Sequence, residues 1–195
     1  IESVLAQTYQ DFEFIIWDDG SKDAGLDIVR SYVRRYPRKV FSYYHEGKKN
    51  LGQEATRNEA LKVVSGEYIC LLDSDDLWLP NKLELQVKKM EENLSVGLVY
   101  GPTRILLNDL KIELDIGKKS STTVAFDDLV KSNSINACSV MFRKECLKGI
   151  SEPFDTKYGA IGEYPLWLRI AKKWKLAEVE TPIAVWRAHS SNTGT

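Results

Sequence analysis

The chain has 195 residues, of which 43% are apolar, and this is enough for one domain with a sizeable core. Lysine and arginine number 27 and aspartate and glutamate number 28, so the formal net charge is −1. That balance argues against nucleic-acid binding and gives no overall attraction to an anionic surface. The longest apolar runs fall far short of the roughly 20 residues that a membrane-spanning helix needs, and no signal peptide opens the sequence.

The cysteines indicate a reducing environment. The chain has an odd number of cysteines, namely Cys70, Cys138 and Cys146. None of them has the CxxC spacing of zinc and redox sites. Such cysteines are typical of reduced core thiols rather than of a disulfide framework. We therefore expect a cytoplasmic protein.

Strand and helix patterns alternate over the first hundred residues. The sequence predicts a helix over 1–9, strands at 12–17, 40–44, 68–72 and 96–100, and helices over 26–36, 53–64 and 83–90. This alternation is typical of a mostly parallel sheet with helices on both faces.

The second half has a different pattern. Two short strands at 104–107 and 111–114 flank the turn signal Asn108-Asp109, which predicts a hairpin. A strand at 139–142, a helix over 164–174 and an extended segment over 177–185 follow. We find neither repeats nor a low-complexity linker, so the sequence predicts a single domain over 1–195.

Two groups of aspartates follow predicted strands. Asp18 and Asp19 end the strand at 12–17, and Asp73, Asp75 and Asp76 follow the strand at 68–72. Ligands of open α/β sheets bind beyond the carboxyl ends of the strands, so we expect the two groups to converge. Clustered carboxylates without a nearby His or Cys pair favour a shared Mg²⁺ or Mn²⁺ that also binds nucleotide phosphates.

Other interpretations of these aspartates are open at this point. Each group of aspartates, taken alone, is also typical of a turn or of the first turn of a helix. The residues Leu77 and Trp78 stand where a calcium-binding EF-hand loop needs Asp or Asn and then Gly, so that interpretation fails. Asp73-x-Asp75-x-Leu77 approaches the nucleophile motif of aspartyl phosphatases, which remains a weaker alternative.

Several ordered motifs carry a family resemblance. They are Ser3-Val4-Leu5-Ala6-Gln7-Thr8-Tyr9, Asp18-Asp19-Gly20-Ser21-Lys22-Asp23, Asn50-Leu51-Gly52, Arg57-Asn58, Gly66-Glu67-Tyr68-Ile69 and Asp73-Ser74-Asp75-Asp76. The second half adds Pro153-Phe154-Asp155, Gly162-Glu163, Leu166-Trp167-Leu168-Arg169 and Trp186-Arg187-Ala188-His189. In order and spacing, these motifs resemble the family 2 glycosyltransferases over nearly the whole chain.

The resemblance implies an α/β fold of GT-A type, with a mostly parallel central sheet, helices on both faces and a small antiparallel acceptor-side portion. It implies a nucleotide-sugar-binding half over 1–100, an acceptor-side half over 101–195, and sugar transfer with inversion from a nucleotide-diphosphosugar, with UDP the usual carrier. The acceptor is not specified: a glycan, a lipid-linked sugar or another hydroxyl would fit, and peripheral contact with the cytoplasmic face of a membrane is left open.

Site residues follow from the matching motifs. Asp18 is expected to face the nucleobase and Asp73 to lie near the ribose, while Asp75 is expected to bind the Mn²⁺ or Mg²⁺ ion on the donor diphosphate. Further candidates for donor binding are Asp19, Arg57, Ser74 and Arg187. His189 is a candidate metal ligand, and Trp78 is a candidate for stacking on a sugar face.

Two departures from the family pattern affect these expectations. The family usually begins with a strand that ends in Pro-x-Tyr/Phe-Asn, and we expect that strand to precede residue 1. The family also usually has Glu-Asp where this chain has Gly162-Glu163. Glu163 is therefore expected to be the general base that deprotonates the acceptor, with helix capping as its alternative role. A protein that binds nucleotide sugars without turnover is the second functional hypothesis.

Overall fold

The structure is a computed structural model that describes residues 1–107, 112–116, 125–189 and 192. The helices are α1 (Glu2–Leu5), α2 (Gly25–Arg35), α3 (Gln53–Leu61), α4 (Lys82–Glu92), α5 (Phe126–Lys131) and α6 (Tyr164–Ala171). The strands are β1 (Phe14–Asp18), β2 (Val40–Tyr44), β3 (Tyr68–Cys70), β4 (Leu77–Trp78), β5 (Val96–Tyr100), β6 (Thr103–Leu107), β7 (Ile112–Ile116), β8 (Met141–Arg143), β9 (Lys175–Glu178) and β10 (Ala184–Ala188). The predicted α/β class is confirmed.

The chain folds as two units. The first comprises residues 1–10, 67–148 and 167–195, and the second comprises residues 11–66 and 149–166. The predicted functional halves, 1–100 and 101–195, stay a prediction.

The second unit contains a parallel strand pair. β1 pairs with β2 in a register that places Phe14 opposite Val40 and Asp18 opposite Tyr44. Helix α2 joins the two strands and packs on β2, and it ends just before Pro37, whose ring cannot continue a helix. Because β1 ends at Asp18, the register places that residue at the carboxyl end of the sheet.

The first unit contains two mixed sheets. Their strand orders are β3-β8-β5-β9 and β4-β10-β6-β7. Strand β8 comes from the second half of the chain and pairs antiparallel with both β3 and β5, while β5 pairs parallel with β9. The sheet is mixed, and not mostly parallel as predicted, because β8 runs antiparallel to both of its neighbours. Leu98, Phe142 and Trp167 are fully buried in this unit.

A buried polar network connects helix α4 to these sheets. The Nζ of Lys82 donates to Gln86 Oε1 at 2.6 Å, and Gln86 Nε2 donates to the carbonyl oxygens of Val99 and Ser139. Burial lowers the pKa of the Lys82 ammonium. The network satisfies polar groups that would otherwise destabilise a buried site.

Several local predictions agree with the structure and others need correction. The strands predicted at 40–44 and 96–100 are confirmed in full. The first helix is shorter than predicted and ends at Leu5, β3 ends at Cys70, and the sequence analysis predicted neither β4 nor α5. The strands β6 and β7 pair antiparallel as predicted, whereas the turn signal Asn108-Asp109 lies outside the described residues.

The three cysteines are free thiols, and Cys138 and Cys146 are buried. Burial raises the pKa of each of the three thiols, to about 11 for Cys146, which favours the unreactive protonated form. In the described part of the chain, no helix is long and apolar enough to cross a membrane.

Candidate active site

Asp18 closes a turn at the end of β1. Its carboxylate accepts the backbone N–H groups of Gly20 and Ser21, at 3.2 Å for Gly20. Gly20 adopts a φ of +84°, and a Cβ there would lie 2.9 Å from the carbonyl oxygen of Lys48. Only glycine tolerates both the left-handed backbone and the close approach, so this residue holds the turn in place.

Asp19 connects the same turn to the 50–52 loop. Its Oδ1 accepts the Leu51 N–H at 2.7 Å, and its Oδ2 accepts the Gly52 N–H at 3.0 Å. The buried His45 places Nε2 3.4 Å from Asp19 Oδ1 and 2.8 Å from Thr56 Oγ1. In this unit Asp19 therefore organises a loop. The sequence analysis left out His45, because nothing in the residues around it distinguishes it from a loop histidine.

A buried group of charges surrounds the predicted base. Glu163 is 8% exposed, and its Oε2 accepts from Arg57 Nη1 at 3.3 Å. The same Arg57 nitrogen donates to Glu54 Oε1 at 3.1 Å. Arg57, predicted to bind the nucleotide, thus lies beside Glu163, whereas no motif or spacing indicated Glu54.

The segment before Glu163 is held by α3. Asn58 and Phe154 exchange two hydrogen bonds, of 2.7 and 3.0 Å. A Cβ at Gly162 would lie 2.5 Å from Glu54 Cγ. Glycine at position 162 therefore leaves room for the Glu54 side chain, which explains why this chain departs from the Glu-Asp pattern there.

In the first unit, Asp75 and His189 come together across 114 residues. His189 Nε2 lies 2.9 Å from Asp75 Oδ2, and Asn192 Nδ2 donates to the same oxygen at 3.3 Å. Asn192 also accepts the His189 backbone N–H at 2.6 Å. Both predicted metal ligands are thus adjacent and partly exposed, and the sequence analysis missed Asn192.

Asp76 has a structural role beside them. It is 7% exposed, and its Oδ1 accepts the backbone N–H of Arg187 at 2.9 Å. Burial, together with the charges of Asp75 and Asp73, raises the pKa of Asp76 to about 6. This hydrogen bond fixes the strand that leads to His189, while the Nε of Arg187 is buried without a hydrogen-bond partner among the described residues.

The remaining candidates in this unit differ in exposure. Ser74 is exposed and Asp73 is half-buried. Trp78 is buried, and its Nε1 donates to the Cys138 carbonyl oxygen at 3.0 Å. Trp78 is therefore a core residue, which corrects the expectation that it stacks on a sugar.

The donor set fits a hard divalent cation. In the described ranges, no three His, Cys, Asp or Glu side chains are grouped so that they could hold a metal ion. The chain offers the pair Asp75 and His189, and Mg²⁺ and Mn²⁺ sites commonly take one or two protein ligands and fill the rest with phosphate oxygens and water. The predicted residues therefore suit a metal that is shared with a diphosphate.

Comparison with known proteins connects this chain to sugar transfer. The family model for glycosyl transferase family 2 matches residues 1–149. The chain is 33% identical over 172 residues to the Escherichia coli UDP-Glc:alpha-D-GlcNAc-diphosphoundecaprenol beta-1,3-glucosyltransferase WfgD. That match covers 88% of this chain and 63% of WfgD, so the chain spans less than two thirds of that relative.

Solved structures show the fold. Residues 1–349 of Staphylococcus aureus TarS in complex with UDP-GlcNAc are similar with a TM-score of 0.74 and 19% identity, over 98% of this chain and 54% of that TarS chain. The Pyrobaculum calidifontis mannosyltransferase PcManGT, in complex with GDP-Man and Mn²⁺, is similar with a TM-score of 0.70 and 17% identity, over 97% of this chain and 52% of that enzyme.

The predicted GT-A type fold is thereby confirmed. The comparisons do not support the alternative of an aspartyl phosphatase. With the family model matching about three quarters of its length, the chain belongs to glycosyltransferase family 2.

Proposed function

We propose that this chain transfers a sugar from a nucleotide-diphosphosugar to an acceptor hydroxyl, with inversion at the anomeric carbon. The acceptor oxygen forms a bond to the anomeric carbon as the bond from that carbon to the diphosphate oxygen breaks. The hydroxyl proton passes to Glu163, and the nucleoside diphosphate leaves with the electron pair. Family membership supports this reaction, and so do the geometry of the pair Asp75 and His189 and the geometry of the pair Arg57 and Glu163.

The observation that carries the proposal is the approach of His189 Nε2 to Asp75 Oδ2 at 2.9 Å. A turn after β3 and the segment after β10 are far apart in sequence, yet they present an oxygen and a nitrogen donor at one place. We assign these two residues as the ligands of Mn²⁺ or Mg²⁺. When bound, the ion would offset the negative charge that develops on the leaving diphosphate.

Glu163 is proposed as the general base because it is a buried carboxylate with a fixed partner. Arg57 Nη1 donates to Glu163 Oε2 at 3.3 Å, and this charge-assisted hydrogen bond holds the carboxylate in one orientation. Arg57 is thus a positioning residue for the base. Glu54, on the other side of Arg57, fixes the guanidinium group in turn.

The remaining site residues are assigned by parts of the donor. Asp18 is proposed to recognise the nucleobase, with Asp19 supporting its loop, while Asp73 and Ser74 serve the ribose and Arg187 the diphosphate. We propose a UDP-sugar as the donor and a lipid-linked sugar as the acceptor, because the full name of WfgD contains both classes.

Calorimetric titration tests donor and metal together. We expect the full-length protein to bind UDP more tightly than GDP or CDP, and only in the presence of Mn²⁺ or Mg²⁺. Equal binding of the three nucleotides, or binding unaffected by a chelator, would contradict the donor and metal assignments.

Replacement of the base tests turnover. With a UDP-sugar donor and a diphospholipid-linked acceptor, Glu163→Gln should keep donor binding while kcat falls about 100-fold or more, or about 2.7 kcal/mol in barrier. Glu163→Asp should restore substantial activity. Glu59→Gln, an exposed position on α3, is the matched control. A wild-type protein that binds donor without transferring sugar would support the hypothesis of binding without turnover.

Arg57 is tested by the kinetics of the same reaction. Arg57→Gln should lower kcat while the KM for the donor stays unchanged, since the hydrogen bond that orients the Glu163 carboxylate is gone, and Arg57→Lys should retain part of the lost kcat. A rate that falls only together with the unfolding temperature would mean that Arg57 supports only the local fold.

A further inference from the structure

The outer face of helix α2 differs from its inner face. The inner face carries half-buried apolar and aromatic side chains, whereas the outer face exposes Ile28, three arginines (Arg30, Arg34 and Arg35) and one acid, Asp27. Ile28 is 54% exposed although it is a large apolar residue. This face is therefore both cationic and partly apolar.

Positive charge is concentrated in a segment that begins on this helix. Residues 30–39, here called the basic segment, contain four arginines and one lysine and no acidic residue. Their formal charge of +5 means that the other 185 residues together carry −6. The near-neutral total, which argues against an anionic partner for the whole chain, thus conceals a local cationic surface.

Aromatic rings accompany these cations. Tyr32 and Tyr36 stack with ring centroids 6.5 Å apart, and the Arg35 guanidinium lies 5.3 Å from the centroid of Tyr36. Both rings lie on the half-buried inner face, and Tyr36 holds the Arg35 guanidinium at the margin of the exposed face.

The helix dipole accounts for only part of this arrangement. Arg34 and Arg35 lie in the last turn of α2, where a cation favours the helix terminus. Arg30 lies before that turn and Arg38 lies after the helix end, beyond the reach of that effect. Of the outer-face arginines, Arg30 bonds to an acid, Asp27 at 3.1 Å, and that carboxylate is itself exposed.

We propose that the basic segment, together with Ile28, binds the anionic lipid headgroups of a membrane. Exposed arginines along a helix can each pair with a different headgroup phosphate, and an apolar side chain on the same face can enter the headgroup region. A membrane-bound position would bring the chain to a lipid-linked acceptor. That benefit rests on the proposed function, whereas the binding itself does not.

Vesicle co-sedimentation of the full-length protein tests this surface without donor or acceptor. The vesicles are pure phosphatidylcholine or an equimolar mixture with phosphatidylglycerol. We expect binding to the mixed vesicles only, weakened by high salt. The variant Arg34→Gln/Arg35→Gln/Arg38→Gln should bind about 100-fold more weakly, at about 5-fold per arginine.

Three controls make the result decisive. Lys62→Gln/Lys131→Gln/Lys148→Gln removes the same charge from exposed lysines elsewhere, and it should bind within about 2-fold of wild type. Arg34→Lys/Arg35→Lys/Arg38→Lys should retain most of the binding, and unfolding temperatures should show that every variant folds. Wild-type protein that does not prefer anionic vesicles, a glutamine variant that binds like wild type, or tighter binding to duplex RNA than to vesicles would each overturn the proposal. UDP titration of the same samples measures the proposed function separately.

Discussion

The two aspartate pairs of the molecule, Asp18-Asp19 and Asp75-Asp76, are built alike but sit in different surroundings. In each pair the second carboxylate accepts backbone N–H groups of a distant segment: Asp19 from Leu51 and Gly52, and Asp76 from Arg187. The first carboxylate differs. Asp18 accepts bonds only from its own turn among the described contacts, whereas Asp75 meets a histidine from the end of the chain.

The comparison indicates how adjacent carboxylates divide two tasks. A carboxylate that accepts backbone N–H groups orders a loop, and its neighbour is then presented in a defined position. Asp76 differs from Asp19 because it is buried, which raises its pKa to about 6. The following predictions test whether each first aspartate serves ligand binding and each second aspartate serves the fold.

The largest expected effect is at Asp75. Asp75→Ala should abolish the metal dependence of UDP binding and lower the transfer rate about 1000-fold, because the metal would lose its carboxylate ligand. Calorimetry with and without Mn²⁺ and a transfer assay measure this. Glu92→Ala, an exposed change on α4, should have no effect. Unchanged metal dependence in Asp75→Ala would remove Asp75 from the site.

Asp18 should follow with a smaller effect on ligand specificity. Asp18→Asn keeps an oxygen for the turn but removes the charge, so we expect UDP binding to weaken by about 10- to 100-fold. The preference for UDP over GDP should decrease, since the proposed partner is the nucleobase. If the ratio of the two affinities stays at its wild-type value, Asp18 does not contact the base.

Asp19 should affect stability. Asp19→Ala leaves the N–H groups of Leu51 and Gly52 without their acceptor, so the free energy of unfolding should fall by about 2 kcal/mol. Urea unfolding measures this loss, with the exposed Asp11→Ala as control. A variant as stable as wild type but unable to bind UDP would reverse the roles of Asp18 and Asp19.

Asp76 should affect stability in the opposite direction, with a defined pH dependence. Its folded-state pKa is raised by burial from the usual 3.8 to about 6, so the folded chain holds this proton more tightly than the unfolded chain. Ionised Asp76 therefore disfavours folding above pH 6, and that cost is relieved as the pH falls from about 6 to about 4.

Asp76→Asn keeps the oxygen that accepts the Arg187 N–H and cannot ionise. In chelator, it should be more stable than wild type by about 3 kcal/mol near pH 8, and the difference should vanish near pH 4. Urea unfolding across this range measures the difference. A constant difference at every pH would mean that Asp76 does not titrate in this way.

Local patterns in the sequence predicted much of the secondary structure and the family. Strands β2 and β5 are short runs rich in β-branched and aromatic residues between turn signals. The first and last residues of these strands could therefore be predicted without knowing which strand each one pairs with. The family motifs are equally local. By contrast, β4 has only two residues and forms by pairing with β10, about a hundred residues later, so no local pattern could indicate it.

The sequence analysis considered only the net charge of the whole chain and not where the charges lie. The count of acidic and basic residues argues against an anionic partner, yet the basic segment was visible in the letters as five cations in ten residues. What the letters do not give is exposure: the half-buried inner face of α2 leaves Arg34 and Arg35 outside. A membrane surface is therefore a conclusion from the folded helix and not from composition.

The sequence by itself determined which residue types could do the chemistry, because carboxylates, an Arg-x-His pair and a glutamate before α6 are readable as letters. Tertiary structure decided what each of them does. Arg57 and Glu163 are 106 residues apart, and their ion pair depends on how α3 packs within its unit. Such contacts depend on loop closure and burial, which no local propensity encodes. For the same reason Glu54, His45 and Asn192 appeared only in the folded chain.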